Sequence, residues 1–210
     1  MIRLIAGLGN IGSEYERTRH NAGFWLIDRL ADEYRAAMRT ERGFHGELAK
    51  VQISGQPVWL LKPNTYMNRS GLAVAALARF YKIAPEAILV AHDELDLVPG
   101  DVRLKLGGRP GGNGALSVQN ELGSADFWRL RIGIGHPGVK SEVSNWVLHK
   151  ASPEHQALMD EAVARSAAVV PALVAGEMER GIMQLHTKPK KPASPASTNA
   201  VAVRNPVQNS

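Results

Sequence analysis

Apolar residues along this chain switch between the period of a strand and that of a helix, and the switches outline a fold. Residues 3–6 read as a first strand that stops at a glycine-rich turn. Residues 23–38 place Ile27, Leu30, Ala31 and Tyr34 on one helix face. The runs 48–53 and 58–62 flank Ser54-Gly55-Gln56-Pro57, which predicts a hairpin with a short loop. A second amphipathic helix is predicted over 71–81, with Val74, Leu77, Ala78 and Tyr81 on one side and Ser70 placed to cap it. A strand over 88–91 ends at His92-Asp93. Val102, Leu104 and Leu106 alternate with charged residues, as in a half-exposed strand, and 130–134 is another strand candidate. Ser152-Pro153 opens a helix, since proline suits a first turn. That helix is expected to bend or break near Pro171 and Gly176, with a last helical piece to about Leu185. Strands alternating with helices predict an α/β single domain, a mixed and mostly parallel twisted sheet flanked by helices. Functional groups are then expected in loops beyond the strand ends.

Composition narrows the function classes. The chain has 210 residues, 44% of them hydrophobic, which suits one compact domain. No run of eighteen apolar residues occurs, so no membrane-spanning helix is expected. The first residues read as a strand and not as a signal peptide. Cysteine is absent, which removes disulfides and cysteine nucleophiles and fits a reducing compartment. The net charge of +5 suggests a nucleic-acid partner until it is located. Lys188, Lys190, Lys191 and Arg204 supply +4 of it, leaving 21 basic and 20 acidic side chains over 1–187. The segment 188–210 is rich in Pro, Ala, Ser and Asn and is read as a disordered basic tail behind a domain over 1–187. Any RNA site in the domain must therefore be a local cluster.

Gly7-Leu8-Gly9-Asn10-Ile11-Gly12 matches the G-x-G-x-x-G dinucleotide fingerprint. That fingerprint also needs a helix starting at the motif and an acid at the end of a second strand. Here residues 13–20 are polar and turn-like, and Asp28 and Asp32 lie within a helical pattern. Glycines that allow a tight turn beside an active site explain the motif better than a nicotinamide cofactor.

Polar residues gather at Asn10, at Thr18-Arg19-His20-Asn21, at 63–68 and at His92-Asp93-Glu94-Leu95-Asp96, each at an element boundary. A His and an Asp from separate loops can act as a base and the group that orients it. Without cysteine or a G-x-S-x-G elbow, water is the natural nucleophile. Spacing alone leaves the pairing open. Asp93, Glu94 and Asp96 raise the possibility of Mg²⁺, but neighbouring strand positions point to opposite faces, and no zinc spacing occurs, so no metal is expected.

Together these segments resemble the bacterial-type peptidyl-tRNA hydrolase family. The matching stretches are Gly7-Leu8-Gly9-Asn10, Thr18-Arg19-His20-Asn21-Ala22-Gly23, residues 63–70 with Met67-Asn68, and Ala91-His92-Asp93-Glu94-Leu95-Asp96. Lys105-Leu106-Gly107-Gly108 and Arg129-Leu130-Arg131-Ile132-Gly133-Ile134-Gly135-His136-Pro137 complete the set, in the family's order over about 1–187. The resemblance implies a monomeric cytoplasmic esterase that acts on peptidyl-tRNA without a cofactor. It makes His20 the general base, oriented by Asp93. It makes Asn10 and Asn68 amides that hold the substrate, Met67 a cleft residue, and Tyr15, Tyr66 and Asn113 further substrate-binding residues. Arg103 and Lys105 match a basic strand that meets tRNA phosphates, and Arg129 and Arg131 extend that patch.

This chain departs from the family where its glycine-rich lid meets the next helix. The usual Gly-Gly-His-Asn-Gly-Leu reads Gly111-Gly112-Asn113-Gly114-Ala115-Leu116 here. Either the usual Asn becomes Gly114, or a one-residue shift lets Asn113 supply the amide; the second is expected. Ile11, where proline is usual, alters only the turn. The altered lid also motivates a competing reading, an RNA-binding protein on the same fold that has lost hydrolysis.

Overall fold

A computed structural model of the chain describes residues 1–187; the tail expected over 188–210 lies outside the described residues. The strands are β1 (Leu4–Gly7), β2 (Arg39–Glu41), β3 (Gly46–Ile53), β4 (Gln56–Pro63), β5 (Ile88–Glu94), β6 (Val102–Leu106) and β7 (Trp128–Gly133). The helices are α1 (Ala22–Glu33), α2 (Ser70–Phe80), α3 (Asn113–Leu122), α4 (Val143–Val147), α5 (Pro153–Val174) and α6 (Met178–His186), with short 3₁₀ turns between elements. One seven-stranded sheet runs in the order β2-β3-β4-β1-β5-β7-β6. Its four central strands are parallel, and the antiparallel hairpin β2-β3 and the strand β6 close its edges.

Alternation along the strands divides the core in two. Ile5, Leu60 and Leu89 face Leu26, Ile27 and Leu30 of α1 and Val163 and Val170 of α5. Leu4, Leu61 and Val90 face Val74 and Leu77 of α2 and Val118 of α3. No described helix is long and apolar enough to cross a membrane.

The glycines of the N-terminal motif have a packing role. A Cβ on Gly7 would lie 2.1 Å from the carbonyl oxygen of Gly23, so β1 and α1 meet backbone to backbone. No helix starts after Gly12; the chain turns through residues 13–17 and reaches a 3₁₀ turn at Arg19–Asn21. Gly7→Ala will therefore push β1 and α1 apart and cost about 1–3 kcal/mol, as overpacking a tight core does. A urea midpoint equal to wild type would show that the approach is not as tight as this.

Local chemistry accounts for the differences from the predicted elements. The first long helix ends at Glu33, not Met38. Arg35 takes a left-handed conformation (φ 51°) and Ala36 N–H returns to the Ala31 carbonyl, a C-terminal lock ordinarily signalled by glycine. Ser70 does not cap α2; its hydroxyl donates to the Met67 carbonyl from inside the first turn. The strand predicted to stop at Ala91 continues to Glu94, because β7 pairs with it through Gly133. Pro171 sits within α5 without breaking it, and the break falls at Gly176 (φ 89°). β2, α3 and α4 carry too short or too polar a pattern to be read from sequence.

Candidate active site

The parallel arrangement brings the ends of β1, β4 and β5 to one edge of the sheet, and most of the polar motifs lie there. Asn10 follows β1. Its main-chain N–H donates to Asn21 Oδ1 at 2.8 Å, and its carbonyl accepts from Asn21 Nδ2 at 3.0 Å. Its side-chain Oδ1 accepts from the Met67 N–H at 2.7 Å. Asn10 thus ties the turn before α1, through its main chain, to the turn before α2, through its carboxamide. With Oδ1 occupied, Nδ2 of Asn10 is the group left to donate to a ligand.

His20 lies in the 3₁₀ turn Arg19–Asn21. Its neighbour Arg19 is buried, donates to the carbonyls of Trp146 and His149, and stacks 3.7 Å over the Trp146 ring. That anchorage fixes the turn that carries His20. His20 Nδ1 lies 2.8 Å from Asp93 Oδ2, with side-chain exposures of 21% and 8%. With Nδ1–H donated to the carboxylate, the lone pair of Nε2 is the basic site. Burial pulls the imidazole pKa down, but the charge of Asp93 and its hydrogen bond outweigh it and hold the pKa above the ordinary 6.5.

Adjacent residues of β5 point to opposite faces of the sheet, so Asp93 serves His20 while His92 and Glu94 lie on the other side. Glu94 is buried and accepts from Arg131 Nε at 2.7 Å. His92 is buried with Nδ1 held by the Asp93 carbonyl, and burial lowers its pKa. Among the described residues, no group of three His, Cys, Asp or Glu side chains could hold a metal ion.

The segment Met67–Arg69 packs against α3. Met67 is buried, whereas Asn68 and Tyr66 are exposed beside it and Tyr15 is partly exposed across the first loop. Asn113 opens α3 as an exposed residue. Gly114 is buried, and a Cβ there would meet Met67 Sδ at 2.4 Å and Leu8 Cδ1 at 2.9 Å. Asn113, one residue before Gly114, lies at the exposed start of the helix. A cavity of about 740 Å³ opens beside Asn10 and Asn21, lined also by Phe24, Trp25, Lys62 and Asn64; neither His20 nor Asp93 lines it.

The basic residues separate into different environments. Arg103 and Arg131 are cross-strand partners, as are Lys105 and Arg129. Lys105 is exposed on the edge strand, and Arg103 is half-exposed, 3.9 Å from Asp101. Arg131 is committed to Glu94. Arg129 departs most from the expected phosphate patch. It is buried, and both Nε and Nη2 donate to the Gly107 carbonyl, at 3.1 and 2.6 Å. Its guanidinium faces the lid backbone and not solvent.

The sequence matches the peptidyl-tRNA hydrolase family over residues 4–193. The chain belongs to that family. It is 56% identical over 197 residues to the peptidyl-tRNA hydrolase of Variovorax paradoxus, covering 93% of this chain and 94% of that protein. It is 53% identical to the peptidyl-tRNA hydrolase of Delftia acidovorans, covering 95% and 99%. The crystal structure of peptidyl-tRNA hydrolase from Acinetobacter baumannii superposes with a TM-score of 0.87 at 50% identity, covering 89% of this chain and 95% of that one. The family resemblance read from the motifs and the mixed, mostly parallel sheet are both borne out. Sequence reasoning gave no role to Arg19, Asn21 or Trp146, and weighed Glu94 only as a possible magnesium ligand. Arg19 and Asn21 were visible inside a quoted motif, but only tertiary contacts show what they hold.

Proposed function

We propose that this protein hydrolyses the ester that joins a peptide, or an N-blocked amino acid, to the 3′ end of tRNA, as a cytoplasmic monomer without a cofactor. The observation that carries the mechanism is the His20–Asp93 hydrogen bond at 2.8 Å, in a chain of the peptidyl-tRNA hydrolase family. Asp93 accepts Nδ1–H, fixes the tautomer and favours imidazolium. Nε2 takes a proton from water as the water oxygen attacks the ester carbonyl. The tetrahedral oxyanion receives a hydrogen bond from the Asn113 amide. As the carbon–oxygen bond to the ribose breaks, His20 returns its proton to the leaving ribose oxygen. Nδ2 of Asn10 and the amide of Asn68 hold the peptide end, with Met67, Tyr15 and Tyr66 along the cleft. Arg103 and Lys105 meet backbone phosphates, and Arg131 joins them from beside Glu94.

The test is release of the blocked amino acid from N-blocked aminoacyl-tRNA by the purified protein. Release is expected, and Asn113→Ala should lower kcat by about 10², the scale for losing one oxyanion donor. Wild-type turnover in that variant would remove Asn113 from the mechanism. The absence of release, with tRNA binding that weakens as salt rises, would replace this reading with RNA binding alone.

A further inference from the structure

We propose that Arg129 is a positioning residue: it pins the entry of the lid segment 107–112 and thereby holds the Asn113 amide in register with the cleft. The inference rests on the reading of Asn113 as an oxyanion donor.

The lid joins β6 to α3 through Gly107-Gly108-Arg109-Pro110-Gly111-Gly112. Gly107 (φ 60°) and Gly108 (φ 82°) take left-handed conformations, and four of the six residues have no side chain to pack. Such a segment has much conformational freedom, so its position must be set by bonds to its backbone. Its entry is tied twice. Gly107 N–H donates to the Phe127 carbonyl at 3.0 Å, and the Gly107 carbonyl accepts from Nε and Nη2 of Arg129. A buried cation in the interior of β7 is an expensive way to fill space, and an aliphatic side chain would do so without the desolvation cost. Here the cation has two donors aimed at one lid carbonyl.

The exit lies against the same buried group of charges. A Cβ on Gly111 would lie 2.8 Å from Glu94 Oε2, so the lid backbone rests against that carboxylate. Glu94 is itself fixed by Arg131 and by the Asp96 N–H. Gly112 then caps α3, and Gly114 packs on Met67. Arg129 of β7 thus bonds the lid's entry, and Glu94 lies against its exit from β5, the strand that carries Asp93. The groups facing Arg129 are His92 and Glu94 of β5, Arg131 of β7 and Lys105 of β6.

Arg129→Met, in the full chain, should lower kcat by about 10², the cost of a small misplacement of a reacting group. KM should stay within about 3-fold, because phosphate contacts are untouched. Hydrogen–deuterium exchange should accelerate in residues 107–113 and not in β5 or α5. Arg129→Lys keeps the charge and one of the two hydrogen bonds, and its kcat should fall between those of wild type and Arg129→Met. If Arg129→Met does not fold, Arg129→Lys decides alone: faster lid exchange with reduced kcat supports the inference, and wild-type values overturn it. A rise in KM at unchanged kcat would make Arg129 a phosphate contact instead. Faster lid exchange with unchanged kinetics would mean that the lid's position does not matter, and would equally overturn it. Measured beside Asn113→Ala, the two failures separate: if that variant is silent, the reading of the cleft fails. If it loses kcat while the Arg129 variants do not, this inference alone fails.

Discussion

His20→Ala will reduce kcat by about 10²–10⁴, the range over which a positioned general base accelerates proton transfer, with KM for the tRNA substrate nearly unchanged. The reason is geometric. His20 reaches the cleft on a turn clamped by Arg19 to α4, and its Nδ1 is already held by Asp93, so Nε2 needs no reorganisation before it accepts a proton. The neighbouring histidine His92 cannot take over: it is buried on the opposite face of β5 with Nδ1 engaged by a carbonyl. The fold should survive, since the imidazole is not part of either apolar core. A thermal melt beside the kinetics checks this. Turnover within a few-fold of wild type, in a folded variant, would remove His20 from the mechanism.

Asp93→Asn should cost a comparable factor, about 10²–10⁴ in kcat, and should also move the pH profile. The base acts only when neutral, so the rate rises with pH as His20 loses its proton. In the wild type Asp93 holds the imidazole pKa above 6.5 against the opposing effect of burial, so the ascending limb lies above pH 6.5. Asparagine removes the charge and leaves burial, which lowers the pKa; the limb then shifts to lower pH. The plateau falls as well, because the amide can offer an N–H to Nδ1 and leave the proton on Nε2, the wrong tautomer. A rate–pH profile of both proteins between pH 5 and 9 separates the two effects. A lower plateau with an unmoved limb would mean that Asp93 orients His20 without setting its charge.

The burial of Arg129 bears on how tRNA is held. With this residue turned inward, the exposed part of the basic strand pair is Arg103 and Lys105, with Arg131 shared with Glu94. The edge position of β6 explains this. An edge strand keeps charged side chains on solvent, while the strand inside it must satisfy its polar groups internally. Sequence alternation treats Arg129 and Arg131 alike, as charged residues spaced two apart between apolar ones. Only the lid carbonyl above Gly107 and the carboxylate of Glu94 distinguish what each guanidinium does.

Much was determined by sequence alone. The strand and helix periods located most of the sheet and both long flanking helices, because each element buries one face and so must repeat. The ordered motifs around Asn10, His20, Met67 and Asp93 identified the family, and the missing histidine before Asn113 left Asn113 as the candidate amide. Tertiary structure decided the rest. Helix ends at Arg35 and Lys82 use non-glycine left-handed residues that carry no sequence signal. β5 extends through His92 and Asp93 because β7 supplies hydrogen-bond partners from forty residues away. The pairing of His20 with Asp93, which the resemblance implied but spacing left open, the clamp of Asn21 on Asn10 and the inward turn of Arg129 are contacts between residues far apart in the chain. A local pattern records which face of an element is buried, but not which distant polar group awaits it there.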